Sequence, residues 1–254
     1  MSASSTARLI LVVPCYNEAE RLPHFLPRLV EALADVDCRI QVVDDGSQSS
    51  QVEATEILVD ELRSRFAVRL APLLALPVNQ GKGAAIRAGW QTHSGSEWLA
   101  FVDADGAIAP LEVRRVIEIA LSSPKQAYFA SRVKMLGRKV DRSLFRHLIG
   151  RVFATAASLR LNVPVYDTQC GLKIVPGTLF EDGCAPFKEN GFGFDLELMV
   201  ALLGKGFSVQ EVPIDWTHIP GSKIHLVRDS IRIYAALDGI ARRRHQWTSP
   251  NRIK

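Results

Sequence analysis

Only four cysteines occur in 254 residues, at positions 15, 38, 170 and 184, and no two form a C-x-x-C pair. That spacing excludes a disulfide-stapled scaffold and a thiolate zinc site, and it reads as reduced thiols in a cytosolic compartment. No apolar run approaches the roughly 18–20 residues that cross a bilayer, so no integral membrane segment is expected. The stretch LILVVP near the start is too short for a secretory leader and lacks a small-residue cleavage site, so none is expected. A Walker-type phosphate loop is missing as well: NQGKGAAI, residues 79–86, has no Ser or Thr after its lysine.

What is present is ordinary for a globular chain. Apolar residues make up 47% and charged residues 23%, and the length suits one large domain. Charge is unevenly placed. Residues 132–160 carry +7 and residues 223–254 carry +6 against a chain total of +4, so the remainder carries −9. An acidic body with two basic segments follows. No nucleic-acid-binding motif accompanies those segments, and no nucleic-acid partner is expected.

The first half alternates in pattern. Short β-rich runs at Arg8–Val13, Arg39–Val43, Val68–Leu74 and Trp98–Val102 are separated by helical spacing over Glu20–Ala34, Ser50–Phe66, Gly81–Thr92 and Leu111–Leu121. Such βαβα order predicts an α/β fold, a mainly parallel sheet with helices on both faces. Ligands in such sheets bind beyond the carboxyl ends of the strands.

Three of those strand ends are polar: PCYNE after the first, DDGS after the second and DADG after the fourth. One D-x-D alone reads more simply as two solvated aspartates that end a strand and cap the next helix. Three acidic ends on one sheet edge would instead crowd Glu18, Asp44, Asp45, Asp103 and Asp105 into a single crevice. That arrangement is costly unless a cation or hydrogen-bond donors fill it. Hard oxygen ligands suit Mg²⁺ or Mn²⁺ completed by phosphate oxygens. Lys82, at a glycine-rich helix start, either lies beside a bound anion or is simply solvated.

The blocks VVPCYNEAERL, VVDDGS, NQGKGAAIRAGW and FVDADGAIAP resemble those of family-2 inverting glycosyltransferases, which have the GT-A fold. The later blocks ASRV, DTQCGLKIV, GFGFDLELM and EVPIDWTHIPGSKI are similar to polyprenyl-phosphate sugar transferases, especially the dolichyl-phosphate glucosyltransferase branch. The likeness runs from about Arg8 to Ser230. It implies a single GT-A domain over residues 1–222, with a nucleotide-sugar half near 8–131 and an acceptor half near 132–222, followed by a basic amphipathic helix and tail over 223–254. Carried onto this chain, it places Pro14, Tyr16, Glu18, Asp44, Asp45 and Lys82 around the nucleotide, and Asp103 and Asp105 on a divalent metal. Arg132 and Arg146 would face phosphate, with Asp167, Gln169, Lys173, Asp195 and Glu197 on the acceptor side. Ser222 and Lys223 would lie on a closing loop. Asp103, Asp105, Arg132 and Asp195 would carry the catalysis.

One position departs from the related mannosyl enzymes, which commonly place a glutamine two residues after the D-x-D. Here that residue is Ala107, a form closer to the glucosyl branch and to UDP-glucose than to GDP-mannose. Leu144, Phe145, Leu148, Ile149, Val152, Phe153, Ala156 and Leu159 form one helical stripe edged by Arg142, Arg146, Arg151 and Arg160. Such a stripe suits peripheral docking at the cytoplasmic face of a membrane, although core packing would require the same pattern. The implied activity is hexose transfer from a nucleotide sugar to a polyprenyl phosphate. Mannosyl transfer to the same lipid class, sugar transfer to a hydroxyl acceptor, and a nucleotide-sugar-binding protein without transfer are the competing readings.

Overall fold

Four strands run as nearly continuous apolar or small-residue segments, the pattern of strands buried on both faces. They are β1 (Leu9–Cys15), β2 (Cys38–Asp44), β4 (Trp98–Val102) and β5 (Ala127–Ser131). The computed structural model describes residues 7–93, 95–123, 126–133, 137–141, 160–161, 163, 166–180, 187–191, 193–219 and 236–247. Within them a seven-stranded sheet has the order β3-β2-β1-β4-β7-β5-β8, where β3 is Leu74–Ala75, β7 is Leu172–Pro176 and β8 is Val209–Pro213. Strands β1 to β4 are mutually parallel, β5 pairs parallel with β8, and β7 alone runs antiparallel, between β4 and β5. The expected mainly parallel α/β sheet is what the chain forms.

Helices cover both faces. On one side α1 (Leu22–Ala32), α2 (Ser49–Phe66) and α4 (Pro110–Ser122) bury Leu22, Leu26, Leu29, Val59, Val113 and Ile117 against the sheet. On the other, α3 (Lys82–Gln91) and α5 (Phe194–Gly204) pack Ile86, Trp90, Leu198 and Met199. Nine of the eleven residues of α5 are buried, so it shows no amphipathic face: it is a core helix. Leu237, Ile240 and Trp247 join this second core, so the described part of the basic C-terminal segment belongs to the body of the domain.

The expected third strand is shorter than its sequence pattern. Leu70 makes only an isolated bridge to Ile40, and regular pairing is confined to Leu74–Ala75. Pro72 explains the interruption, because it has no N–H to offer the ladder. Its carbonyl instead accepts from Gln41 Nε2 at 2.7 Å.

Two short strands, β6 (Val140–Asp141) and β9 (Trp216–Thr217), form a separate parallel pair. The hydrogen bond from Thr217 N to Ala107 O, 3.0 Å, fixes it beside the loop after β4.

Candidate active site

Strand order reverses between β1 and β4, the place where open α/β sheets leave a crevice. The carboxyl ends of β1, β2 and β4 open there. Antiparallel β7 brings its beginning to the same edge: Val102 pairs with Leu172, and Asp103 N donates to Gly171 O at 2.9 Å. At Gly171 a Cβ would overlap the Asp103 carboxylate, so a side chain there would displace that carboxylate. The D-x-D and the D-T-Q-C-G block, far apart in sequence, are therefore in contact.

The two aspartates of D-x-D have different surroundings. Lys82 Nζ sits 2.6 Å from Asp103 Oδ1, whereas Asp105 Oδ1 accepts from Ala107 N at 3.0 Å. Burial and the charge of Asp103 push the Asp105 carboxyl above its ordinary range. Burial alone would lower the Lys82 ammonium, but Asp103 and Asp195 hold it well above the ordinary lysine range. Lys82 is thus neither solvated nor free. Ala84 N, in the first turn of α3, donates to Asn190 O at 3.1 Å, so that helix start is covered by its own chain.

Among the described residues no group of three His, Cys, Asp or Glu side chains converges as a metal cage. Asp105 and Asp103 nonetheless fit a hard divalent cation that draws its other ligands from phosphate and water, because they are hard carboxylate donors two residues apart and, among the described residues, Asp105 is in no ion pair.

The other carboxylates of the crevice hold its walls. Asp45 accepts from Gln80 N and Gly81 N, both at 2.8 Å, and so fixes the turn into α3. Gly81 there has φ 106°, where a side chain is strained, and a Cβ would press on the Asn190 carbonyl. Asp44 accepts from Ser47 N at 2.8 Å and Ser47 Oγ at 2.6 Å. Glu18 is ion-paired with Arg21. Pro14 is partly buried at the end of β1, and Tyr16 is exposed just beyond it.

On the opposite wall, Arg132 follows β5. Its Nε and Nη2 donate to Asp167 at 2.7 and 2.8 Å, its backbone N to the same carboxylate at 3.0 Å, and its guanidinium lies 5.6 Å from the Trp216 ring. This bidentate clamp orients the arginine rigidly. Three buried polar atoms in the adjoining segments have no hydrogen-bond partner among the described residues: Ser131 Oγ, Thr168 Oγ1 and Gln169 Nε2. Buried orphans of this kind call for a polar ligand or water. No sequence pattern singles out Ser131 or Thr168, since a lone hydroxyl beside Arg132 or Asp167 carries none.

Beneath the crevice lies an alternation of charge. Lys173 is fully buried, with Nζ 2.5 Å from Asp195 Oδ1 and 2.7 Å from Cys170 O. Lys82 Nζ lies 3.8 Å from Asp195 Oδ2. Lys173, expected to contact substrate, has no exposed surface, and Asp195, expected to act in catalysis, is 2% exposed and turned toward the two ammoniums. The two form a buried ion pair beneath Asp103 and Lys82. Glu197, one helical position pair further on, accepts from Lys188 N and Glu189 N at 2.9 and 2.8 Å and fastens the segment covering α3. Arg146, Ser222 and Lys223 lie outside the described residues, as does the stripe at 144–159.

The Arg132–Asp167 pair predicts a pH dependence. Burial alone would raise the Asp167 carboxyl, but Arg132 holds it down at about 2 against an ordinary 3.8. A lowered folded-state value means stability present above about pH 4 and lost as the pH falls toward 2, worth about 2 kcal/mol. Urea midpoints of wild type should fall across that window. Asp167→Asn should be less stable at pH 7 and show a flatter fall; parallel curves for the two would contradict the assignment.

Residues 10–175 match Glycosyl transferase family 2. The dolichyl-phosphate beta-glucosyltransferase of Saccharomyces cerevisiae is 27% identical over 242 residues, covering 89% of this chain and 71% of that one. A dolichyl-phosphate beta-glucosyltransferase of Trichomonas vaginalis is 31% identical over 233 residues, covering 86% and 68%. Polyprenol monophosphomannose synthase of Mycolicibacterium smegmatis is 30% identical over 215 residues, covering 84% and 78%. Glucosyl-3-phosphoglycerate synthase from Mycobacterium tuberculosis, solved with Mn²⁺, UDP-glucose and phosphoglyceric acid, superposes with TM-score 0.66 at 18% identity, covering 94% of this chain and 81% of that one. At that identity the likeness concerns the fold, which is of the GT-A type. Since the family's pattern runs from β1 into β7 and relatives at 30% identity or above extend it across most of the sequence, the chain belongs to glycosyl transferase family 2.

Proposed function

We propose that this chain is an inverting hexosyltransferase that moves glucose from UDP-glucose onto a polyprenyl phosphate at the cytoplasmic face of a membrane, using Mg²⁺ or Mn²⁺. One observation carries the reading: relatives matching 84–89% of the chain are named for lipid-phosphate sugar transfer, whether glucosyl or mannosyl. A divalent cation held by Asp105 and Asp103 would offset the charge gained by the departing nucleoside diphosphate.

The chain's own groups support the same chemistry. A phosphate monoester acceptor is already largely ionised at pH 7, so its attack on the anomeric carbon needs no general base. Asp195, neutralised by Lys173, is not placed to be one. Arg132, locked by Asp167, suits binding and orienting the acceptor phosphate. Ala107 bears on the donor. It is buried and gives Asp105 only its backbone N–H, in line with the glucosyl form of the motif. The M. smegmatis relative favours the second reading, mannosyl transfer from GDP-mannose.

No helix among the described residues is long and apolar enough to cross a membrane. Peripheral attachment through the arginine-edged stripe at 144–159 and the basic segment at 223–254 is part of the proposal.

The test is direct. Purified protein is incubated with radiolabelled UDP-glucose or GDP-mannose and vesicles containing polyprenyl phosphate, and the lipid is extracted. Label from UDP-glucose is the expected result. Label from GDP-mannose alone moves the donor to the mannosyl reading, and label from neither, across a wider nucleotide-sugar panel, sinks lipid transfer.

A further inference from the structure

Lys82 and Lys173 flank the Phe101 ring, their ammoniums 5.0 and 5.2 Å from its centroid, yet they are not equivalent. Lys173 is sealed in, and its partner is Asp195 at 2.5 Å. Lys82 reaches the crevice: its side chain is 15% exposed, and its closest partner, Asp103, is 36% exposed at the side chain. Its contact with Asp195 is long, 3.8 Å. Lys82 can therefore leave without stranding a buried charge, because Lys173 still neutralises Asp195. Asp103 would then be left open to another cation.

The backbone beneath Lys82 is fixed. Gly81 N is held by Asp45, and Ala84 N by the Asn190 carbonyl. A change of partner at Lys82 therefore involves its side chain alone. A nucleoside diphosphate carries more than one negative charge and outcompetes a single carboxylate for an ammonium, as charge-assisted bonds to phosphate are strong.

We propose that Lys82 is a tethered counter-cation: in the nucleotide-free chain it occupies Asp103 and opposes loading of the D-x-D by a divalent metal, until a nucleoside diphosphate draws the ammonium away. The proposal rests on the reading of Asp103 and Asp105 as metal ligands. It makes metal and nucleotide binding mutually reinforcing: the metal alone binds weakly, and the pair binds well.

The experiment follows Mn²⁺ itself, through loss of the free-ion electron paramagnetic resonance signal, with and without UDP. In wild type, Mn²⁺ should bind weakly alone and clearly more tightly with UDP. In Lys82→Met, Mn²⁺ alone should bind about tenfold more tightly than in wild type, the scale of a close, partly buried charge pair. The gain should shrink or vanish with UDP. Lys82→Arg, which keeps the cation, should behave as wild type. Should Lys82→Met fail to fold by circular dichroism, Lys82→Gln carries the same comparison, since its amide retains a hydrogen bond to Asp103 without the charge. Wild type binding Mn²⁺ with UDP, and neutral variants gaining nothing in its absence, overturns the proposal alone. Wild type failing to bind Mn²⁺ even with UDP overturns the metal reading and the proposal together.

Discussion

Asp105→Asn should lower sugar transfer by about 10²–10³-fold, the scale set by removing one electrostatic group from a reacting centre, with the unfolding midpoint unchanged or slightly raised. The two halves of that expectation come from one environment. Asp105 is desolvated and lies beside Asp103, so its carboxylate is held at an energetic cost in the folded chain. Asparagine removes the charge while its side-chain oxygen still accepts the Ala107 N–H. Folding therefore loses nothing, and the cation site loses its more available ligand. EDTA should silence the wild type, and Mg²⁺ or Mn²⁺ should restore it. Asp103→Asn should differ, because it strips Lys82 of its 2.6 Å partner and so lowers stability as well as transfer. Full transfer by the wild type in chelator, or by Asp105→Asn, would remove the metal from the mechanism.

Much of the architecture was legible because buried parallel strands leave a plain signature. Runs such as LILVVPC and WLAFV are apolar on both faces, and each ends in an acidic cluster that the topology gathers on one edge. Other features had no local signature. The truncation of the third strand depends on one missing N–H at Pro72. The antiparallel insertion of β7 between β4 and β5 is a tertiary choice, and no local spacing announces it. Among the candidate site residues, Asp103 and Asp105 stand just after β4 and Arg132 just after β5. Lys173 and Asp195 come from equally distinctive motifs, but the structure turns them inward. Burial of a lysine such as Lys173 is a tertiary outcome that D-T-Q-C-G-L-K does not reveal. Lys82 shows the limit most clearly, since its two readings, beside an anion or solvated, both omitted the carboxylate it binds.

The buried Lys173–Asp195 pair carries the largest expected effect on stability. Lys173 has no exposed surface, and its ammonium is satisfied by Asp195 at 2.5 Å and the Cys170 carbonyl at 2.7 Å. Removing one partner of a buried pair costs about 3–5 kcal/mol, because the remaining charge keeps its desolvation penalty and loses its compensation. Against a total stability of about 5–15 kcal/mol, that is a large share. Lys173→Met should therefore shift the urea midpoint sharply downward, softened only by Lys82, which is 3.8 Å from the stranded carboxylate. The double variant Lys173→Met with Asp195→Leu removes both charges from a site walled by Phe101 and Phe129. It should recover most of the lost stability, since replacing a whole buried pair with apolar side chains is close to neutral. Transfer should not recover with it, because Lys82 then keeps only Asp103 of its two ion-pair partners among the described residues. Should Lys173→Met instead unfold like the wild type and lose only transfer, Lys173 reaches substrate after all, and the buried pair does not stabilise the fold.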